Sequence, residues 1–259
     1  VGISLPSLRI DSFSVGLAQE VQKGRKTGLT FAPEAGSQRL RNVINKGVSE
    51  DDLLNAAQAA FKAGWSSLKL YFMIGLPTEN DDDLEGIASL ALKVADLGTR
   101  AQKQGCFKKR LEVNISVSNF VPKAHTPFQW ERMTRVEELR RRQDYLRQRL
   151  RDRRVKYNWH DVETSFWESV IARGDRRLGK LIALAFEKGC RFDGWSEFFK
   201  PRKWWEAAAE AGIDPEDYAY RSYGYDEVLP WDHLESGVDR TFLIKEHRKA
   251  LEEIGRAHV

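Results

Sequence analysis

Cysteine is scarce in this sequence of 259 residues, which contains two, Cys106 and Cys190. They lie far apart along the chain, so they provide neither a disulfide framework nor a local metal-binding motif. An iron–sulfur cluster takes several thiolate ligands, and two are too few. The sequence therefore predicts no metal site made by this chain alone.

Long hydrophobic runs are also absent. No stretch approaches the roughly 20 apolar residues of a membrane-spanning helix. The first residues, Val1–Leu5, are short and strand-like, without the basic flank or cleavage site of a secretory signal. We expect a cytoplasmic protein with no membrane partner.

A strong excess of one charge is missing as well, since 42 basic residues face 38 acidic ones for a net charge of +4. This mild bias is not the basic surface typical of a nucleic-acid-binding protein. Two segments keep RNA or other nucleic-acid binding open as an alternative: the Arg-rich helix predicted at Val136–Arg153 and the sequence FFKPRKWW at Phe198–Trp205. The same residues suit a solvated helix and a small hydrophobic core, and for Phe198–Trp205 we favour the core.

The most informative stretch that is present is KLYFMIGLPTE, at Lys69–Glu79. Its apolar run predicts a central parallel strand covered on both faces, followed by a tight turn at Gly75. Ligands in α/β folds bind at the carboxyl ends of such strands. A functional site is therefore predicted around Gly75, with Glu79 more a turn anchor or helix-start acid than a reactive group.

Strands and helices alternate through the first half of the chain, and their crossovers are long enough for parallel pairing. This order predicts an α/β fold with a parallel sheet and helices packed outside it. Ser49–Asp52 resembles a capping box at the start of one helix, and Asn80–Asp83 is the acidic start of the next. Arg39 and Arg41 lie on the helix after Glu34, where most such arginines are solvated, although one could bind a carboxylate ligand. The predicted strands are Val1–Leu5, Thr27–Pro33, Ser67–Ile74 and residues 111–120. A chain that opens on a strand suggests that an N-terminal part is missing. From Val121 onward the pattern becomes mainly helical, with a possible short strand at Tyr157–Trp159.

Several polar residues follow or line these strands. Glu34 directly follows a strand, where its carboxylate could bind an amine or ribose hydroxyls, or could cap the next helix together with Ser37. Asn114, Ser116 and Ser118 alternate on one strand face, which indicates either a cavity or an exposed edge. His125 lies in a proline-flanked loop and is a candidate ligand or acid–base group, although a lone loop histidine is usually neither.

Four stretches together resemble one known family. SLPSLRIDSF, FAPEAGSQRLRNVINKG, LKLYFMIGLPTEND and VPKAHTPFQW occur in this order in radical S-adenosylmethionine (radical SAM) proteins, in the group with an N-terminal cobalamin-binding-type domain. The later segments RGDRRL, FDGW and LPWDHLESGV are similar to the downstream region of that group. The resemblance covers nearly the whole chain.

The resemblance implies the C-terminal part of a (β/α) barrel, with residues 1–130 in the barrel, 131–156 as an Arg-rich connecting helix and 157–259 as a mainly helical extension. Such barrels bind S-adenosylmethionine and a [4Fe–4S] cluster, and they cleave the former reductively to a 5′-deoxyadenosyl radical. The cluster ligands form a CxxxCxxC motif, which this chain lacks. The isolated chain is thus expected to be inactive, with cluster and any cobalamin belonging to the intact protein.

Matching positions imply that five residues bind S-adenosylmethionine. Glu34 and Ser37 match the acidic and small polar residues after the fourth barrel strand, whereas Met73, Gly75 and Pro77 match the fifth-strand motif beside adenine. The sequence departs from the broader motif at Tyr71, where a glycine is often found, and in the position of Glu79. Ser7, Arg9 and His125 are expected only on the cavity rim. The resemblance does not identify the substrate.

The open edge of the sheet is expected to pair with a missing N-terminal half of the barrel or with another copy of the chain. A half-barrel scaffold that pairs in this way is a further alternative to an enzyme.

Overall fold

The computed structural model describes residues 29–252, which form two compact units. The first unit contains the described residues up to Ser118, Arg141–Trp159 and those from Lys249 onward. The second contains Asn119–Arg140 and His160–Arg248. The predicted strand Val1–Leu5, the helix after it, and Ser7 and Arg9 lie outside the described residues.

A four-stranded parallel sheet forms the centre of the first unit, in the order β1, β2, β3, β4. The strands are β1 (Leu29–Glu34), β2 (Ser67–Ile74), β3 (Glu112–Asn119) and β4 (Val155–Trp159). This α/β arrangement, an open parallel sheet with helices, is the predicted fold class and is consistent with a partial barrel. β4 pairs with β3, with Val113 opposite Val155. The short strand that the sequence allowed at Tyr157–Trp159 is present, and it begins two residues earlier.

The helices of the first unit begin at polar caps that the sequence predicts. They are α1 (Gln38–Val43), α2 (Glu50–Lys62) and α3 (Asp81–Lys103), while α4 (Val136–Arg149) contributes residues to both units. Ser49 and Asp52 form the predicted capping box of α2. Asn80 and Asp83 form a second one at α3. Because each box pairs otherwise unsatisfied N–H groups, it fixes where the helix starts.

One face of the sheet carries the core of the first unit. Along β2, Leu68, Leu70, Phe72 and Ile74 are buried, whereas the alternate residues are partly exposed. The prediction that this strand is covered on both faces was therefore wrong. Leu70–Met73 are all apolar, so their sequence does not show that burial alternates from one residue to the next. The half-open face includes Lys69, Tyr71 and Met73.

The second unit is mainly helical. It contains a 3₁₀ turn (Pro127–Trp130), α5 (Val162–Arg173), α6 (Leu178–Glu187), α7 (Pro201–Ala211), α8 (Pro215–Ala219) and most of α9 (Arg240–Leu251). Trp130, Leu229, Trp231 and Leu243 form one buried cluster in it. In the FFKPRKWW segment Trp204 is buried, but Phe198 is 49% and Trp205 38% exposed. The predicted core is thus right for Trp204. Trp205 packs one side of its ring against the buried Phe166 and Trp167, whereas the prediction is wrong for Phe198.

None of the helices described between residues 29 and 252 is long and apolar enough to cross a membrane.

Candidate functional site

The carboxyl ends of β1 and β2 lie side by side, because Glu34 is in register with Phe72. Both ends leave the strands through left-handed backbone, with φ of 68° at Glu34 and 81° at Gly75. Glycine adopts this conformation freely, but glutamate does so at a cost. The Glu34 carboxylate accepts a hydrogen bond from Lys46 Nζ at 3.2 Å and keeps 27% of its side chain exposed. The exposed part of the Glu34 side chain leaves room for a ligand.

Ser37 starts α1, which follows Glu34 directly. Its hydroxyl accepts a hydrogen bond from the Leu40 N–H at 3.0 Å and donates one to Asp83. The capping contact is the one that the sequence allowed for Ser37. The prediction that Ser37 also lies beside S-adenosylmethionine stays a prediction.

Asp83 joins the two turns at this edge of the sheet. Its carboxylate is buried and accepts hydrogen bonds from Ser37, from Arg39 and from the Asn80 N–H. Arg39 also donates to the carbonyl oxygen of Thr78 at 2.8 Å. A network that combines a buried carboxylate with a guanidinium and two helix caps is rigid when it is fully hydrogen-bonded. Sequence reasoning had treated Asp83 only as one acid of a helix start, and its capping-box spacing was the available signal.

Arg41 stabilises the loop between β1 and α1 from inside. Its guanidinium is buried and donates to the carbonyl oxygens of Ala35 at 3.0 Å and Gly36 at 3.2 Å. Burial lowers the pKa of Arg41 from its ordinary value, and the charge of Glu50 opposes that shift. The interpretation that arginines of this helix are solvated was wrong for Arg41, because the loop carbonyls turn inward and need donors.

Glu79 anchors the turn after β2. One carboxylate oxygen accepts the Gly75 N–H at 2.6 Å, and Arg142 pairs with the same oxygen. The side chain is 1% exposed, and its other oxygen, Oε1, has no hydrogen-bond partner among the described residues. Burial raises the pKa of Glu79 to about 7, against the opposing effects of Arg142 and of the Gly75 N–H. Glu79 therefore acts as the predicted turn anchor.

Met73 and Pro77, the other predicted binding residues, lie on either side of Gly75 and are both partly exposed. Met73 is on the half-open face of the sheet. The polar residues of β3 share that face, since Asn114 Nδ2 donates to Ser67 Oγ at 3.3 Å. Ser116 is buried, whereas Asn114 and Ser118 are partly exposed. The half-open face is accordingly polar along β3 and mixed along β2.

His125 is the remaining candidate and belongs to the second unit, as do Asp161 and Asp232, to which the sequence assigns no catalytic role. His125 has a left-handed backbone, with φ of 56°, and its N–H donates to Gln129 Oε1 at 3.0 Å. Asp161 caps α5 through the Thr164 N–H at 2.8 Å. Asp232 pairs with Arg240. These contacts are structural and form no catalytic triad.

The two cysteines do not fit an iron–sulfur cluster. Both are free thiols, Cys106 in the first unit and Cys190 in the second. Within residues 29–252 no group of three or more His, Cys, Asp or Glu side chains is arranged to hold a metal ion. A chain with two cysteines lacks the thiolates of a [4Fe–4S] site.

Comparison with known families finds a similarity in the first part of the chain. The sequence model of the Radical SAM superfamily matches residues 1–91, which include β1, β2 and all five residues predicted to bind S-adenosylmethionine. This part of the chain is therefore similar to the Radical SAM superfamily.

A curated relative extends the similarity further along the chain. "Uncharacterized protein MJ0966" of Methanocaldococcus jannaschii is 35% identical over 182 residues, which is 70% of this chain and 37% of the relative. The chain thus spans a little over a third of that protein's length.

Proposed function

We propose that this chain supplies the S-adenosylmethionine-binding edge of a radical SAM enzyme, whose intact form cleaves S-adenosylmethionine reductively to a 5′-deoxyadenosyl radical. The observation that carries the proposal is the position of Glu34 and the Gly75 turn. Both fall inside the residues that match the superfamily, and both end neighbouring parallel strands. Such strand ends are where α/β folds place ligands.

The residues at this edge suit S-adenosylmethionine in their chemistry. The exposed part of the Glu34 carboxylate can accept hydrogen bonds from ribose hydroxyls or from an amino group. Met73 offers an apolar, polarisable surface to a purine ring. The Glu79 anchor and the Asp83 network hold both turns in place, so the edge is preorganised.

Bound S-adenosylmethionine would supply the adenosyl group, whereas the reducing electron needs a cluster that these residues cannot hold. We propose that the cluster ligands, and any cobalamin, belong to other parts of the intact protein. An open edge of the described sheet is then the place for a further barrel strand, from the same protein or from another copy. The substrate of the intact enzyme stays unassigned.

Binding of S-adenosylmethionine to the 259-residue chain tests the edge directly. We expect saturable but weak binding in equilibrium dialysis, weakened about tenfold in E34Q because a charge-assisted hydrogen bond is lost. E168Q is the matched control, since Glu168 also pairs with one lysine, Lys123, but belongs to the second unit. Absent binding, or equal binding by E34Q and wild type, would overturn the proposal.

Reconstitution tests whether the cluster ligands lie outside this chain. After anaerobic incubation with iron, sulfide and a reductant, we expect this chain to bind no cluster and to release no 5′-deoxyadenosine. The full-length protein should do both under the same conditions. A cluster on this chain, or a full-length protein that never cleaves S-adenosylmethionine, would contradict the proposal.

A further inference from the structure

Five large apolar side chains form an exposed surface on the second unit, which we call the aromatic surface. They are Ile182 and Phe186 of α6, and Phe192, Trp195 and Phe198 of the segment between α6 and α7. Ile182 and Phe186 lie one helical turn apart and so share a face of the helix. The Arg191 guanidinium lies 4.4 Å from the centre of the Phe186 ring, and the ring centres of Phe192 and Phe198 are 6.0 Å apart. The helix and the segment therefore contribute to one continuous surface.

The segment is held by turns although its rings are in solvent. The Trp195 N–H donates to the carbonyl oxygen of Phe192, and the Phe198 N–H donates to that of Trp195, each at 2.9 Å. Phe192 is 72% and Trp195 64% exposed. These hydrogen bonds fix the backbone that presents the exposed rings.

Two unfavourable features of the segment indicate that something covers it. Phe192 has a left-handed backbone, with φ of 60°, which is rare and costly for a bulky residue. Oδ1 of Asp193 is buried and has no hydrogen-bond partner among residues 29–252, although buried polar atoms normally have one. Costs of this kind collect at binding sites.

The aromatic surface is large enough for a protein interface. Because an aromatic side chain buries about 150–250 Å² in a contact, the exposed parts of these five side chains amount to roughly 500 Å². Exposed apolar patches of this size are often functional. A standard interface buries about 800 Å² per partner, and polar residues around the rings can supply the rest.

The charges around the rings favour a second copy of this chain as the partner. Residues 188–200 carry charges of both signs, on Lys188, Arg191 and Lys200 and on Asp193 and Glu197. Lys188 pairs with Glu210, and Arg202 of α7 pairs with Glu206. An anionic membrane or a nucleic acid would need an excess of basic groups. Two copies of a surface with balanced charge do not repel, and in a two-fold contact the cations of each copy can face the carboxylates of the other. Apolar contacts are also typical of homodimers.

We propose that two copies of this chain associate through the aromatic surface in a two-fold contact, in which Phe192 and Trp195 of each copy pack against the same surface of the other. The contact covers the exposed rings and offers the Asp193 carboxylate the cations of the other copy. It does not depend on radical SAM activity, and it does not use the open edge of the sheet.

Sedimentation equilibrium of the 259-residue chain over a wide range of protein concentration tests the association. We expect the mass to rise from that of one chain to that of two as the concentration increases, and to rise no further, because a two-fold contact is closed. A chain that stays monomeric throughout, or that grows beyond two copies, would overturn the proposal.

Two substitutions locate the contact. F192N and W195Q should each raise the dissociation constant of the dimer at least about thirtyfold, because each removes two buried rings per dimer. Asparagine tolerates a left-handed backbone, so F192N adds no strain. Circular dichroism should show unchanged helix content in both variants, since the two rings are exposed in the single chain.

F242Q is the matched control, because Phe242 is another exposed phenylalanine of the second unit but belongs to α9. It should dimerise like the wild type. If F192N and W195Q also did so, the contact would lie elsewhere, such as the sheet edge, and the proposal would be wrong.

Other partners are tested with the same variants. We expect neither vesicles of phosphatidylglycerol nor a single-stranded RNA to bind the wild type more tightly than they bind W195Q. Binding that W195Q weakens would assign the aromatic surface to a membrane or to a nucleic acid, against the proposal.

Discussion

Buried charged side chains at the carboxyl edge of the sheet bind backbone groups more than they bind one another. Arg41 satisfies two loop carbonyls, and Glu79 accepts the N–H of Gly75. A charge that has lost water is tolerated only when such hydrogen bonds replace it. These residues therefore fix the shape of the two turns.

Glu79 makes stability depend on pH. Its folded pKa is about 7, above the ordinary value of 4.5, so the folded chain binds more protons than the unfolded chain between these values. The contribution of Glu79 to the free energy of unfolding is then largest below pH 4.5 and is lost as pH rises towards 7, by roughly 3 kcal/mol at most. Urea denaturation across this range should show this loss as a change in the difference between the wild type and E79Q.

The control for this prediction is E50Q, which removes a carboxylate that is 38% exposed. Its pH profile should follow the wild type. If E79Q kept the wild-type slope, the titration of Glu79 would not be its cause.

At the scale of secondary structure, the loop that leads into α1 approaches α3 through two glycines, Gly36 in the loop and Gly86 in the helix. A Cβ atom on Gly36 would lie 2.1 Å from the carbonyl oxygen of Asp83, and one on Gly86 would lie 2.7 Å from the carbonyl carbon of Gly36. Both contacts are with backbone, which cannot rotate away. This approach brings Ser37 within hydrogen-bonding reach of Asp83.

We therefore expect G86A to destabilise the chain. Alanine normally improves a helix by about 1 kcal/mol over glycine, but here the clash should outweigh that gain and cost about 2 kcal/mol. G179A is the control, because Gly179 lies in α6 with nothing within 4 Å of an added Cβ. Thermal or urea unfolding should show opposite signs for the two variants, and a stabilising G86A would contradict this account.

Strands and helix starts that depend on neighbouring residues in the sequence could be predicted. β2 has its predicted bounds, and the capping box at Ser49 forms as expected. The contacts of Arg41 and Asp83 could not be predicted, since their partners depend on how loops and helices pack. The same holds for β4, whose five residues alone do not reveal that β3 is their neighbour.

For the whole molecule, the near balance of charge extends to the Arg-rich helix. Arg140 pairs with Glu163, Arg141 with Asp81 and Arg142 with Glu79. Guanidiniums paired in this way are less available to phosphates. The structure thus adds no support to the nucleic-acid alternative.

Weak binding of single-stranded RNA, with a shallow salt dependence, is the expected outcome in fluorescence anisotropy. Because few phosphates would be neutralised, few counterions would be released. Replacing Arg140 and Arg141 by glutamine should change little, as should the control R202Q. A steep salt dependence that these replacements reduce would instead favour a nucleic-acid-binding module.

The first unit is discontinuous in sequence, and this has a consequence for synthesis on the ribosome. β3 is complete at Asn119, but its partner β4 begins at Val155, after the first segment of the second unit. Until β4 has emerged, the nascent chain carries β3 with one backbone edge that β4 has yet to cover, and such edges invite misassembly. Folding of the sheet therefore has to wait for residues that follow another unit.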